Sequence, residues 1–291
     1  MTYDNSLRAV ALVATGLVEE MRRIHEVGPV ATIALGRAAI GALLLAGRAK
    51  HGHRVGVSFQ GSGPMARLFA EATYDGKVRA FVSLREELPL QMNERGSVSL
   101  ASSIGHGVLT VFEGLPGRGE PHRATVELRT GEVGDDIAYY LHQSLQTRNV
   151  VHLGVYLGSG GEVLGAGGVL IEVLPGVQEE TLLHLEAIVG RSPALSERIR
   201  AGGTARDLAE IYLGDLGFRE LSPSGPIEYN CRCNEERFHR SLLLLGRMEL
   251  DAIIKSSQAV EANCEFCGRK YRAEIPTIVE LRNQLPKNQS H

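Results

Sequence analysis

The sequence predicts an α+β protein: an N-terminal domain of mainly antiparallel sheet with helices, a helical linker, and a small C-terminal domain held by its cysteines. Three observations predict it. Apolar residues alternate with small or polar ones in short runs between Arg54 and Leu174, and turn residues separate the runs. From Val177 to about Gly217 the apolar spacing becomes that of helices. All four cysteines lie in the last 61 residues, as two close pairs.

Leu7 to Val13 reads as a first strand, and Leu17 to Val27 as a helix with Glu19, Glu20, Arg22 and Arg23 on its polar face. Gly28-Pro29 punctuates the chain, and the alanine-rich run to about Arg48 is a second, more buried helix. Val55, Val57 and Phe59 alternate into the turn Gly61-Ser62-Gly63-Pro64. Met65 to Ala72 returns, and Asp75-Gly76 marks a hairpin into Val78 to Val82. Val108 to Phe112 and Ala124 to Leu128 are two further strands, separated by the loop from Gly114 to Gly119. Thr130 to Asp136 opens a helix from Ile137 to Gln146, with Asp135 and Asp136 at the end where the helix dipole favours acids. Val150 to Leu157, the turn Gly158 to Gly161, and Gly165 to Leu174 make a closing strand pair. Pro175-Gly176 ends the first domain, residues 1–176.

The linker, residues 177–226, carries Leu182, Leu183, Leu185, Ile188 and Val189, then Leu208, Ile211, Tyr212 and Leu213. Breaks fall at Arg191-Ser192-Pro193 and Ala201-Gly202-Gly203. So much apolar surface needs a partner, and the sheet of the first domain is the expected one. Ser222 to Pro226 marks a boundary, and residues 227–291 form the last domain. There Asn234 caps a helix containing Phe238 and Leu242 to Leu245, and Glu249-Leu250 begin another.

Cys231-Arg232-Cys233 and Cys264-Glu265-Phe266-Cys267 are separated by thirty residues. Each pair offers two thiolates from one tight turn, and tetrahedral zinc takes four, so one zinc per chain is expected. A closed four-thiolate shell has no position for water or substrate; the metal would be structural or switching rather than hydrolytic. Gly268 can take the positive φ that a knuckle turn requires, and His239 is a nearby spare ligand. The C-x-C spacing is tighter than that of most inert zinc sites. A disulfide across it needs a kinked backbone and would be readily reduced. With few large apolar groups in this domain, metal must supply much of its stability.

Length and composition bound the rest. The 291 residues are enough for about two domains. Net charge is −3, and from Glu228 onward ten Lys and Arg face nine Asp and Glu, so the electrostatic footprint of a nucleic-acid protein is missing. The N-terminus lacks the basic segment and apolar run of a secretory signal. Val30 to Ala46 is interrupted by Arg37 and is short for a membrane span, and reads as a core helix. A cytoplasmic protein with neither nucleic-acid nor membrane partners is expected, its cysteines reduced or metal-bound at rest. The glycine clusters do not stand between strand and helix as phosphate loops do, and no G-x-S-x-G or H-E-x-x-H motif occurs, so no catalytic residues are expected. Asp135 and Asp136 are adjacent on a helix and point about 100° apart, unlike a carboxylate pair. Two other readings of the cysteines are a thiol–disulfide oxidoreductase using Cys264 and Cys267, and a zinc-binding interaction module without redox chemistry. The first is weakened because Gly268 to Tyr271 reads as a hairpin exit rather than a helix start.

Longer motifs carry a resemblance. In the C-terminal part they are Cys231-Arg232-Cys233-Asn234-Glu235-Glu236-Arg237, Leu245-Gly246-Arg247-Met248-Glu249-Leu250, and Cys264-Glu265-Phe266-Cys267-Gly268 with Tyr271. In the N-terminal part they are Gly61 to Pro64, Gly131 to Tyr140 with Gln143-Ser144, and Ala166 to Leu170 with Leu174-Pro175-Gly176. Together they resemble the heat-shock protein 33 family of redox-regulated chaperones, over nearly the whole chain. Departures are Ser144-Leu145-Gln146 where Ser-Glu-Gln is usual, Thr147 to Asn149 where proline is common, and Asn234 where serine is usual. The resemblance implies an ATP-independent holdase rather than an enzyme, inactive while reduced with zinc on Cys231, Cys233, Cys264 and Cys267. It implies that peroxide or hypochlorous acid joins Cys231 with Cys233 and Cys264 with Cys267. Zinc would then leave, the C-terminal domain unfold, and the oxidised form dimerise. Unfolding client proteins are the implied partners, held by Leu182, Leu185, Ile188, Leu208 and Ile211 of the linker and by the sheet beneath.

Overall fold

The computed structural model describes residues 1–93, 96–191, 195–221 and 225–286. The expected break at Ser192-Pro193 and the expected boundary at Ser222 to Ser224 lie outside them. The chain forms two compact units, Met1–Asn230 and Cys231–His291.

In the first unit β1 (Leu7–Val13) leads into α1 (Thr15–His25) and α2 (Pro29–Arg48). Pro29 stands in the first turn of α2, where its missing N–H leaves no bond unmade. By length and composition α2 could cross a membrane, but 89% of its apolar window is buried inside the unit. It is a core helix, as the sequence indicates. β2 (Arg54–Gly61), β3 (Met65–Thr73) and β4 (Lys77–Leu84) follow as a meander, then the short hairpin β5 (Gln91–Met92) and β6 (Val98–Ser99) and the single turn α3 (Ala101–Ile104). β7 (Gly107–Gly114), β8 (His122–Glu127), α4 (Val133–Leu145), β9 (Asn149–Leu157) and β10 (Val163–Val173) complete the expected body.

Apart from the β5–β6 hairpin, the described strands of this unit divide between two sheets. Six take the order β11-β4-β3-β2-β7-β8, where β11 is the late pair Glu228–Tyr229; three take the order β1-β10-β9. Every pairing is antiparallel except β11 with β4. Alternate residues such as Val57, Phe59, Leu68, Ala70 and Val111 share one core with α2, and that burial sets the period-two pattern.

α4 begins at Val133, four residues before the expected Ile137. The cause is Asp136, which is wholly buried and accepts N–H bonds from Arg129, Thr130 and Gly131 at 2.7, 3.1 and 3.0 Å. It ties the incoming loop to the helix. Burial pushes its carboxyl pKa up and the three amides pull against that shift.

The linker lies in the first unit as α5 (Glu179–Arg191), α6 (Leu195–Arg200) and α7 (Ala205–Leu213), followed by a 3₁₀ turn at Gly214–Leu216. Thr204 and Asp207 form a capping box at the start of α7. These helices bury Leu185, Leu195, Ile199, Leu208, Tyr212 and Leu213 against Leu7, Val169 and Ile171 of the three-stranded sheet. α6 comes so close that only glycine fits beneath it: a Cβ on Gly154 would lie 2.8 Å from the Ser196 nitrogen, and one on Gly165 would meet the Ser196 carbonyl.

The second unit contains α8 (Glu235–Leu243), α9 (Gly246–Ser256), the hairpin β12 (Val260–Asn263) and β13 (Lys270–Ala273), and α10 (Ile275–Gln284). Its buried core is Phe238, Leu242, Leu250, Ala273, Ile278 and Leu281. α8 stops at Leu243 instead of running through Leu245, because Gly246 takes φ +82° and turns the chain; Leu244 is left 88% exposed. α9 correspondingly starts at Gly246, ahead of the expected Glu249.

Two tests follow from this packing. Gly165→Val should lift α6 from β10, raising the rate of limited proteolysis in residues 195–213 about tenfold and lowering stability in urea by about 1–3 kcal/mol, as overpacking does. Glu19 binds Arg22 and Arg23 and accepts the Val163 N–H at 3.0 Å, tying α1 to β10. Its hydrogen bond with Arg22 leads the causes that hold its pKa at about 2. A depressed carboxylate pKa stabilises the fold above the unfolded value of about 4.3 and is lost as pH falls toward 2. Glu19→Gln should therefore flatten the loss of stability between about pH 5 and pH 2, read by denaturant melts across that range.

Candidate metal centre

The four cysteines come from two turns. Cys231 and Cys233 occupy the extended stretch before α8, where Asn234 caps the helix by accepting the Arg237 N–H at 2.9 Å. The cap fixes how the chain enters α8. Cys264 and Cys267 sit in the turn between β12 and β13. There the Gly268 N–H donates to the Cys264 carbonyl at 2.8 Å and the Cys264 N–H to the Arg269 carbonyl at 2.9 Å, with Gly268 at φ +68° as the turn demands.

Folding brings all four Sγ atoms within 4.8 Å of one another. Across the turns Cys231 lies 3.6 Å from Cys264, and Cys233 lies 3.3 Å from Cys267. Four sulfurs at about 2.3 Å from one zinc stand about 3.8 Å apart, so the cluster has the size of a tetrahedral thiolate shell. A soft, all-sulfur tetrahedral donor set suits zinc. The thiols are free and half-buried.

The surroundings fit thiolates. The Tyr271 hydroxyl is buried with no well-aligned hydrogen-bond partner, and its ring stacks on Phe238 at 5.5 Å. Burial pushes Cys231 up, as do the neighbouring thiols, and burial also raises Cys267. At Cys233 burial acts the same way, but Tyr271 and the other three thiols outweigh it and bring the pKa to about 7. His239 is not in the cluster; it stays on α8 beside Phe238.

Of the linker residues, Leu185 and Leu208 are buried in the cluster over the three-stranded sheet, and Ile188 and Ile211 pack against it. Leu182 is half-buried on α5, outside that cluster. Tyr212 was not singled out from the apolar stripe, yet it is wholly buried and its hydroxyl bonds the Nδ1 of His152 on β9. Its signal is its place four residues after Leu208, on the same helical face.

The fold and this site define a class: a mixed α/β body with a packed helical linker and a separate four-thiol unit sized for one zinc. Comparison with known proteins places the chain within that class. A family model described as Hsp33 protein matches residues 1–274. A 33 kDa chaperonin of Trichormus variabilis is 38% identical over 281 residues, covering 96% of this chain and 92% of the relative. One of Limosilactobacillus fermentum is 37% identical over 270 residues, covering 92% of each. The crystal structure of the 33 kDa chaperonin of Thermotoga maritima superposes with a TM-score of 0.86 at 30% identity, covering 97% of this chain and 96% of that one. The chain belongs to the Hsp33 family. It is an ATP-independent, redox-regulated holdase, a chaperone without catalytic activity, and the four-thiol cluster matches the zinc-binding redox switch of that class. The oxidoreductase reading of Cys264 and Cys267 falls away.

Removing the metal gives the direct check. A chelator with reductant should unfold residues 231–286, seen as fast amide exchange there, while α2, β2 and β7 at the heart of the first unit stay protected; added zinc should restore protection of the second unit.

Proposed function

We propose that Cys231, Cys233, Cys264 and Cys267 hold one zinc in the reduced state, and that oxidation pairs Cys231 with Cys233 and Cys264 with Cys267. Functionally the chain divides into a client-holding body at 1–176, a linker at 177–226 and a switch at 227–291, whose first residues, through Asn230, lie in the first folded unit as β11 and its end. The observation that carries the proposal is a four-thiol cluster inside a unit with, among its described residues, six buried apolar side chains in its core.

Bound zinc supplies the bonds that tie the two turns together. Peroxide removes their donors. One sulfur of a pair attacks the peroxide O–O bond, becoming a sulfenic acid as hydroxide leaves; its neighbour then attacks that sulfur, closing the S–S bond as water leaves. Each pair of thiols and one peroxide thus yield one disulfide and two waters. Structural zinc is worth on the order of 10 kcal/mol to a small domain, comparable with the whole stability of an ordinary one, so the switch unfolds once its sulfurs are oxidised.

The linker then becomes available to unfolding clients through Leu182, Leu185, Ile188, Leu208 and Ile211, together with the sheet they leave. These side chains suit that use because a mostly apolar, non-directional surface accepts many sequences. The oxidised form dimerises. The protein works in the cytoplasm, where reduced thiols are the resting state, and takes neither nucleic acid nor membrane as partner; its charge of −3 supports the first exclusion.

Zinc content, disulfide mapping and suppression of client aggregation should be followed in one sample through peroxide and then reductant at mildly raised temperature. The expected result is loss of about one zinc per chain, the two within-turn disulfides, and holding activity that rises with them and reverses with reductant. Zinc lost without gained activity, or disulfides bridging the turns, would overturn the proposal.

A further inference from the structure

β11 differs from every other strand of the six-stranded sheet. It is two residues long and parallel to β4, where all other pairs are antiparallel. It ends at Tyr229, with one residue, Asn230, between it and Cys231. Among its fastenings, the Glu228 N–H donates to the Gly76 carbonyl at 3.1 Å and the Asn230 N–H to the Val78 carbonyl at 2.8 Å. The Tyr229 hydroxyl donates to the Ala80 carbonyl at 3.3 Å, and its ring meets that of His25 on α1 edge-on, centroids 6.5 Å apart. Ile227 and Tyr229 pack, partly buried, against the main core.

β4 is much longer than its cover. It runs from Lys77 to Leu84, but β11 pairs only with Lys77 and Val78. A sheet edge offers main-chain donors and acceptors to any extended chain, and folded proteins cover such edges. Two parallel residues are a weak cover, because parallel pairs are less stable and so short a strand adds little. Charge does not bar a newcomer: Lys77 pairs with Asp75 at 3.0 Å and Arg79 with Glu71 at 3.1 Å.

We infer that the outer edge of β4 is a docking edge for extended segments of unfolding proteins, and that β11 is its internal occupant. The inference rests on the holdase reading above. β11 itself shows the partner's chemistry: an extended backbone, bonded without regard to sequence, with an aromatic or bulky apolar side chain in the slot that Tyr229 fills between His25 and Ala80. Unfolded chains present both features, whereas folded ones bury them. Because Asn230 adjoins Cys231, unfolding beyond Cys231 removes the anchor at the C-terminal end of β11. The strand then has the low local stability of a fraying end, and its place on β4 passes to the client.

The test is hydrogen exchange on the full-length chain, with reduced and carboxymethylated lactalbumin as a permanently unfolded probe. In the oxidised protein the amides of residues 76–82 should exchange at least tenfold faster than in the reduced, zinc-loaded protein. Adding the probe should restore their protection, while β8 at the opposite edge stays unchanged. Tyr229→Ala in the zinc-loaded protein should speed exchange at 76–80 by about tenfold and bind the probe before any oxidation. If oxidised wild-type protein holds the probe but residues 76–82 exchange equally with and without it, the docking edge is wrong and the holdase reading stands. If the oxidised protein fails to hold the probe at all, the holdase reading fails first.

Discussion

Ordering each residue of a chain costs about 1–2 kcal/mol of backbone entropy, and the second unit has little apolar burial to set against that. Phe238, Leu242, Leu250, Ala273, Ile278 and Leu281 are its buried core, divided among three short helices and a hairpin. The four-sulfur link between its two turns is the interaction on which its fold depends. Those sulfurs lie at the separations of a zinc tetrahedron, and the nearby Tyr271 hydroxyl has no better-aligned partner. Such a unit is conditional by construction. Its folding follows the chemical state of four atoms, whereas the first unit, with α2 buried among its strands, carries its own core.

The linker is held by a different kind of contact. α6 sits over Gly154 and Gly165 at a distance that no side chain would permit, and Tyr212 sends its hydroxyl through the apolar layer to His152. Close packing of this kind does not loosen by degrees, because a small separation already forfeits much of the dispersion contact. A surface covered this way is either shut or open, which suits a holdase that must not bind clients at rest. The capping box of Thr204 and Asp207 keeps α7 helical by local bonds, so the helix does not owe its form to the sheet alone.

The parts legible in the sequence were those with a local cause. Strands of the six-stranded sheet showed the period of two because α2 buries one face; α2 itself showed as a long apolar run; and the cysteines announced a metal because ligand spacing is chemistry rather than context. Other features depend on distant residues. β11 has no readable period in two residues, and its pairing with β4 lies about 150 positions away in sequence. Nothing local marks Gly154 and Gly165 among the strand glycines, because what requires them is α6, about 30 to 40 residues further along the chain. The hairpin of β12 and β13 was legible at its turn, Cys264 to Gly268, whereas α10 was not, because the short elements of this unit bury too few side chains for a clear pattern. The start of α4 was misplaced because Asp136 serves the preceding loop, a role that its position near a helix N-terminus does not reveal.

The arrangement of the sulfurs also bears on which disulfides can operate a switch. In the folded unit Cys231 lies 3.6 Å from Cys264 and Cys233 lies 3.3 Å from Cys267, both across the turns. A bridge of that kind would close a loop of about thirty residues and, like other loop-closing disulfides, stabilise the folded unit by a few kcal/mol. It would replace one cross-link with another, and oxidation would leave the structure shut. A bridge within a turn closes almost no chain, leaves the turns unconnected, and consumes both donors that the turn contributed. It also survives unfolding as a local contact: two cysteines two or three positions apart remain neighbours in a disordered chain, while sulfurs thirty residues apart do not. In the proposed switch, within-turn pairing therefore turns oxidation into loss of structure, and reductant returns four thiols to a chain free to refold around metal.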